Sequence, residues 1–157
     1  MTTTRDPVQR SHFIARAEPK DLYEIVVDFA VYPRLFPEIK EARVVSANLP
    51  GQPHVVRVEF RSQMVLPVRY VLDLTCLPDV PSVDWTFFEG EVVTDSSGGW
   101  RFTAEPGGTK LDYRVALDVR APLPGAILRK ITDGLVSASL PRMFTSIEGE
   151  FRRRKGL

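Results

Sequence analysis

At 157 residues, 43% of them hydrophobic, the chain has the length of one domain and enough apolar mass to bury a core and enclose a cavity within it. Twenty-one Lys and Arg against twenty Asp and Glu leave a formal charge of +1, which excludes the wholly basic surface of a bulk nucleic-acid binder but not a local basic patch. The lone Cys76 excludes an internal disulfide framework and a Cys-rich metal site, no segment reaches the ~18 apolar residues of a membrane span, and the polar first seven residues lack a signal-peptide core, so a cytoplasmic protein is expected.

Residues 8–17 read as a first strand, with Pro19 or Asp21 opening a helix that places Leu22, Tyr23, Ile25, Val26 and Phe29 on one side. Pro33 suits the first turn of a second helix, where its missing N–H costs nothing, and Pro37 limits that helix to about two turns. From Ala42 the chain resumes as an extended, β-branched segment. Strict alternation follows: Val56, Val58 and Phe60 against Arg57, Glu59 and Arg61, then Val68, Tyr70, Leu72, Leu74 and Cys76 against Arg69, Asp73 and Thr75. Val83, Trp85 and Phe87 make the next strand, then Trp100 and Phe102, then Leu111, Tyr113, Val115, Leu117 and Val119. Turn chemistry at Pro50-Gly51, residues 78–81, residues 96–99 and Pro106-Gly107-Gly108 predicts hairpins and hence an antiparallel sheet.

From residue 124 to 154 the period is helical. At ~100° per residue, Ile127, Ile131 and Leu135 share one direction, whereas Leu140, Met143, Phe144, Ile147 and Phe151 point roughly 160° away. One straight helix cannot aim both sets at a single sheet, so a bend or break is expected over 137–141, next to Pro141. Gly134, Ser137, Ala138 and Ser139 are small, and opposite an aromatic sheet face they either leave a cavity or let the helix approach closely and fill the gap with backbone.

The segment VVDFAVYPRLFPEIKEARVVS, residues 26–46, with its Tyr-Pro-x-x-x-Pro core, resembles the START-like (SRPBCC, helix-grip) superfamily, in particular its coenzyme Q-binding and polyketide cyclase/dehydrase branch. The resemblance covers roughly residues 8–153, the core of one START-like ligand-binding domain over 1–157. It implies an α+β fold: a curved antiparallel sheet of six to seven strands around a long C-terminal helix, with two short helices after the first strand. Where coenzyme Q-binding and ribosome-association relatives often carry Trp-Cys after the second proline, this chain has Glu38 and Ile39.

Helix-grip proteins keep a pocket between the inner sheet face and the C-terminal helix. The resemblance therefore makes Phe60, Tyr70, Trp85, Phe87, Trp100, Phe102 and Tyr113 the expected walls, with Ile131, Leu135 and Ala138 on the helix side. Taken residue by residue, the same aromatics also suit an ordinary core. In polyketide aromatase/cyclase relatives a cavity arginine and tyrosines help orient and deprotonate the chain, so Tyr70, Tyr113, Arg69 and His12 are the catalytic candidates. Alternation turns Arg69 outward, toward Glu59 or Asp73, unless a bulge after Pro67 changes its facing. His12 and His54 are the only histidines and are far apart, no nucleophile elbow or phosphate loop is present, and neither a metal site nor a cofactor is expected.

Arg152, Arg153, Arg154 and Lys155 form the one clear charge block. Such a block complements the negative end of a helix, and it also suits peripheral contact with an anionic membrane or RNA. The expected partner is a hydrophobic small molecule: an isoprenoid quinone, a lipid or a polyketide-like aromatic, bound or carried without catalysis. A polyketide aromatase/cyclase using the same cavity is the alternative and a ribosome-associated regulator the third reading; no motif specifies an oligomeric state.

Overall fold

The computed structural model describes residues 2–4, 7–63, 66–136 and 140–157. Strands β1 (Thr2–Thr4) and β2 (Val8–Ala15) precede helix α1 (Pro19–Val26), a 3₁₀ turn (Phe29–Val31) and the single turn of α2 (Tyr32–Leu35). Strands β3 (Ile39–Leu49), β4 (Gln52–Gln63), β5 (Pro67–Leu77), β6 (Ser82–Glu91), β7 (Val93–Glu105) and β8 (Gly108–Arg120) follow, then helices α3 (Gly125–Val136) and α4 (Leu140–Lys155). All pairings are antiparallel, β3 through β8 pair in sequence order, and β1 and β2 pair successive stretches of β8. The curved sheet thus has seven strand positions, the upper end of the six to seven expected, in a helix-grip architecture.

Local chemistry explains the element ends. Pro19 opens α1 behind Glu18, whose backbone N–H donates to the Asp21 carboxylate at 2.9 Å, a reciprocal cap at a helix start. Leu22, Ile25 and Val26 from α1 are buried together with Leu128 and Ile131 from α3 and Phe144, Ile147 and Phe151 from α4, all against the inner sheet face. The sharp turns at Pro50-Gly51 and Pro106-Gly107 fall where expected, and Gly51 and Gly107 adopt φ of +73° and +85°.

Two expectations need correction. Residues 96–99 are not a turn: they lie inside β7, and the β6–β7 reversal is made at Val92, with φ +73°. A β-branched residue is a rare occupant of that conformation, and the nearest glycine, Gly90, stands two residues before it. The second helix is one turn rather than about two, because the 3₁₀ turn takes the residues before Tyr32. The expected bend over 137–141 falls mainly on 137–139, which lie outside the described residues.

One buried charge anchors α4. The Glu150 side chain, 1% exposed, accepts from Arg34 of α2 (2.8 Å), Arg153 (2.6 Å) and Arg154 (2.7 Å), and Arg154 continues to Asp28 at 2.9 Å. Hydrogen bonds from Arg153, then Arg154 and Arg34, outweigh burial and pull the Glu150 carboxyl from 4.5 to about 2. A depressed carboxylate stabilises the fold fully above its unfolded pKa and loses that contribution as pH falls through the folded value. Glu150→Gln should therefore cost about 3 kcal/mol at neutral pH, and the gap from wild type in chemical denaturation should narrow between pH 4.5 and about 2. A gap that stays constant across that window would show that the ionised carboxylate does not anchor the helix.

Candidate functional site

A partly open cavity of about 120 Å³ lies between the inner sheet face, the α2–β3 corner and α4. Consecutive strands each send one large ring to it: Phe60 from β4, Tyr70 from β5, Trp85 from β6, Trp100 from β7 and Tyr113 from β8, with Leu72 and Leu74 between them. Tyr32, Phe36, Pro37, Ile39 and Met143 close the opposite side, and Glu38, Ser62 and Arg142 are the other polar lining residues among those described.

The rings hold one another in two groups. Phe60 stacks on Tyr70 at 5.4 Å between centroids and meets Tyr32 at 6.0 Å, while Tyr32 stands edge-on to Phe36 at 4.9 Å. Tyr113 lies 4.5 Å from Trp100 and 5.7 Å from Trp85. Each such pair contributes roughly 0.5–1.5 kcal/mol beyond its buried area, so the wall is a fixed surface rather than a loose set of side chains. Trp85 donates its indole N–H to Ser96 Oγ at 3.2 Å, and its ring occupies space that Gly98 leaves free: a Cβ there would come within 2.4 Å of the ring and 2.2 Å of the Arg114 carbonyl. The strand glycines that resembled a turn in sequence are therefore the seat of a wall tryptophan.

The cavity's ionisable groups are phenols and one ion pair. Burial raises the pKa of Tyr70 and of Tyr113, and the neighbouring Tyr70 raises Tyr113 further. Burial also raises Tyr32, whose hydroxyl donates to the Val26 carbonyl. Arg142 of α4 pairs with Glu38, joining the helix to the α2–β3 corner at the cavity rim.

Of the expected wall, Phe60, Tyr70, Trp85, Trp100 and Tyr113 come together around the cavity; Phe87, Phe102 and Ile131 do not line it. Phe102 packs edge-on against Tyr23 of α1 at 6.1 Å, Ile131 is fully buried in the core, and Phe87 sits next to the register shift between β5 and β6. The Leu135 side chain and Ala138 lie outside what the structure describes. Arg69 faces the outer surface, held by Glu59 at 2.7 Å and Glu89 at 3.0 Å, so the outward reading of the alternation is the one observed. His12 also lies away from the cavity lining, stacked on Phe144 with Nε2 2.8 Å from Glu148. Arg153, Arg154 and Lys155 are engaged in ion pairs with Glu150, Asp28 and Asp21. The helical side of the lining, Tyr32, Phe36, Glu38, Arg142 and Met143, escaped the sequence reading; the apolar direction shared by Met143, Phe144 and Ile147 was the available signal.

A family model described as "Polyketide cyclase / dehydrase and lipid transport" matches residues 16–144. Among solved structures, a protein from Thermus thermophilus superposes with TM-score 0.80 at 19% identity, over 95% of this chain and 99% of that one. The Zhui aromatase/cyclase from Streptomyces sp. R1128 gives 0.82 at 17% identity, over 97% and 96%. A START superfamily protein from Mycobacterium smegmatis gives 0.73 at 19%, over 94% and 97%. No curated protein matches the sequence significantly. At these identities the structural likenesses establish the helix-grip fold.

Gly98→Ala tests the seating of the wall. The added methyl group should displace the Trp85 ring and destabilise the protein by ~1–3 kcal/mol in urea denaturation. It should also alter tryptophan fluorescence in the folded state, whereas an unchanged midpoint and spectrum would mean that Gly98 does not position Trp85.

Proposed function

Because the chain belongs to the polyketide cyclase/dehydrase and lipid transport family, whose description spans catalysts and carriers alike, we propose that it binds or carries a hydrophobic, ring-bearing small molecule without transforming it. The observation that carries this reading is the aromatic cavity itself, where five strands contribute rings to one surface and the phenols within it are pushed up by burial. Apolar walls with few polar groups suit binding of a flat, unsaturated ligand such as an isoprenoid quinone or polyketide-like aromatic. A general base, by contrast, works best with a pKa near the ambient pH, and burial moves Tyr70 and Tyr113 away from it. The positions of Arg69 and His12 support the same preference.

A polyketide aromatase/cyclase is the second reading, favoured by the family description and by protonated phenols that could still donate hydrogen bonds to a carbonyl. Peripheral contact with an anionic membrane or RNA through Arg152, Arg153, Arg154 and Lys155 has less support, since the last three already serve Glu150, Asp28 and Asp21. Among the described residues no helix is long and apolar enough to cross a membrane.

Both tryptophans of the chain line the cavity, so quenching of their fluorescence reports occupancy directly. N-phenyl-1-naphthylamine should quench both, and Tyr70→Phe, Tyr113→Phe and His12→Ala should each keep its affinity within about threefold. If instead Tyr70→Phe or Tyr113→Phe retains binding but loses at least ~100-fold in the cyclisation rate of a poly-β-ketone substrate, the protein is a cyclase.

A further inference from the structure

The cavity contains one polar group whose place the packing does not explain. Ser62, 3% exposed near the end of β4, lines the cavity, and its Oγ is the single buried side-chain oxygen or nitrogen among the described residues with no hydrogen-bond partner. A buried hydroxyl without a partner forfeits its hydration and gains nothing in return, so native proteins rarely keep one without a use. A neighbour is at hand: the Tyr70 hydroxyl is close enough for Ser62 to offset part of the rise that burial gives it, yet the pair falls short of hydrogen-bond geometry. The charged lining residues Glu38 and Arg142 neutralise each other, so the cavity offers an incoming molecule no free counter-charge.

We propose that Ser62 selects the ligand: its hydroxyl hydrogen-bonds a hydroxyl or carbonyl oxygen on an uncharged aromatic molecule that lies against the Phe60–Tyr70 stack. The inference rests on the binding function proposed above and narrows its substrate class to oxygen-bearing rings. Pure hydrocarbon chains and charged head groups are disfavoured, the first because they leave Ser62 without a partner and the second because Arg142 and Glu38 already have one.

Naphthalene and 2-naphthol, matched in ring size and differing by one oxygen, separate the two claims when titrated by tryptophan quenching into wild type and Ser62→Ala. Wild type should bind 2-naphthol more tightly than naphthalene. Ser62→Ala should weaken 2-naphthol by about 3- to 10-fold, the range of one neutral hydrogen bond, and leave naphthalene unchanged or tighter. Without ligand, Ser62→Ala should melt at the wild-type temperature or above, since the hydroxyl contributes no bond to the empty fold. The inference is overturned if the variant lowers both affinities equally, leaves both unchanged, or melts several degrees lower, which would make Ser62 a structural partner of Tyr70. If neither compound binds wild type, the cavity is not an aromatic binding site and the broader reading falls with it.

Discussion

The placement of α4 across the inner face of the sheet is the constraint on which the rest depends, and the buried carboxylate of Glu150 fixes it. Burying an ionised group costs several kcal/mol unless its hydrogen-bonding capacity is filled. Here Arg153 and Arg154 of the same helix and Arg34 of α2 fill it, so the cost is fully recovered only when the C-terminal helix docks against the helix turn near the start of the chain. Phe144, Ile147 and Phe151 add non-directional burial along the same face. The ionic cluster supplies direction: it sets where along its axis the helix stops sliding. Lys155 to Asp21 and Arg154 to Asp28 extend that hold to α1 and the turn behind it.

With α4 fixed, the cavity follows from a mismatch of sizes. The strands contribute a wall of interlocked rings that cannot flatten without giving up their mutual contacts, and the facing corner contributes Tyr32, Phe36 and Met143 over only part of that wall. Gly98 makes the mismatch larger, because without a side chain it lets Trp85 lie back against β7 instead of filling the centre. A residue of any size there would push the indole inward and trade cavity for core. The space is therefore a product of specific packing and not a defect in it, in keeping with interiors that are otherwise close-packed.

The sheet was legible because alternation is a local property. Val58 and Phe60, or Leu72 and Leu74, declare their shared face within one strand, and each is buried as that pattern requires. The same local logic failed wherever a neighbour distant in sequence decided the outcome. Phe102 alternates inward like Trp100, but α1 lies over it and Tyr23 takes the contact, so it became core instead of wall. Ser96 to Gly99 read as a turn because glycine usually marks one, yet the glycine was required by Trp85 on the adjacent strand. The true turn, at Val92, is marked only by Gly90 two residues earlier, among the charges of Glu89 and Glu91. Glu38 and Arg142 are 104 residues apart, and nothing in either segment indicates that they meet at the cavity rim. The opposed apolar faces of the last helical region were visible from the sequence, since Ile131 and Ile147 are both fully buried although they fall on different sides of a single helix axis.

Binding and catalysis place opposite demands on this cavity. Excluding water strengthens the attraction for an apolar ring and every hydrogen bond made to it, but it also penalises the charged form of each buried acid. For Tyr70 and Tyr113 the charged form is the phenolate that proton abstraction would need, and burial raises both phenols. An aromatic pocket of this kind can thus hold a neutral ligand with its phenols acting as donors, and it becomes less able to remove a proton the more completely it is closed. Proton abstraction by a phenol would require a compensating cation beside it, lowering its pKa as Arg153 and Arg154 lower that of Glu150. Arg69, the cation next to Tyr70 in sequence, is turned to the opposite face and already shared between Glu59 and Glu89. Arg142 does reach the rim, where Glu38 takes its charge. The charges of this protein hold its framework together, and the cavity surface is left mostly to apolar side chains, aromatic rings foremost among them.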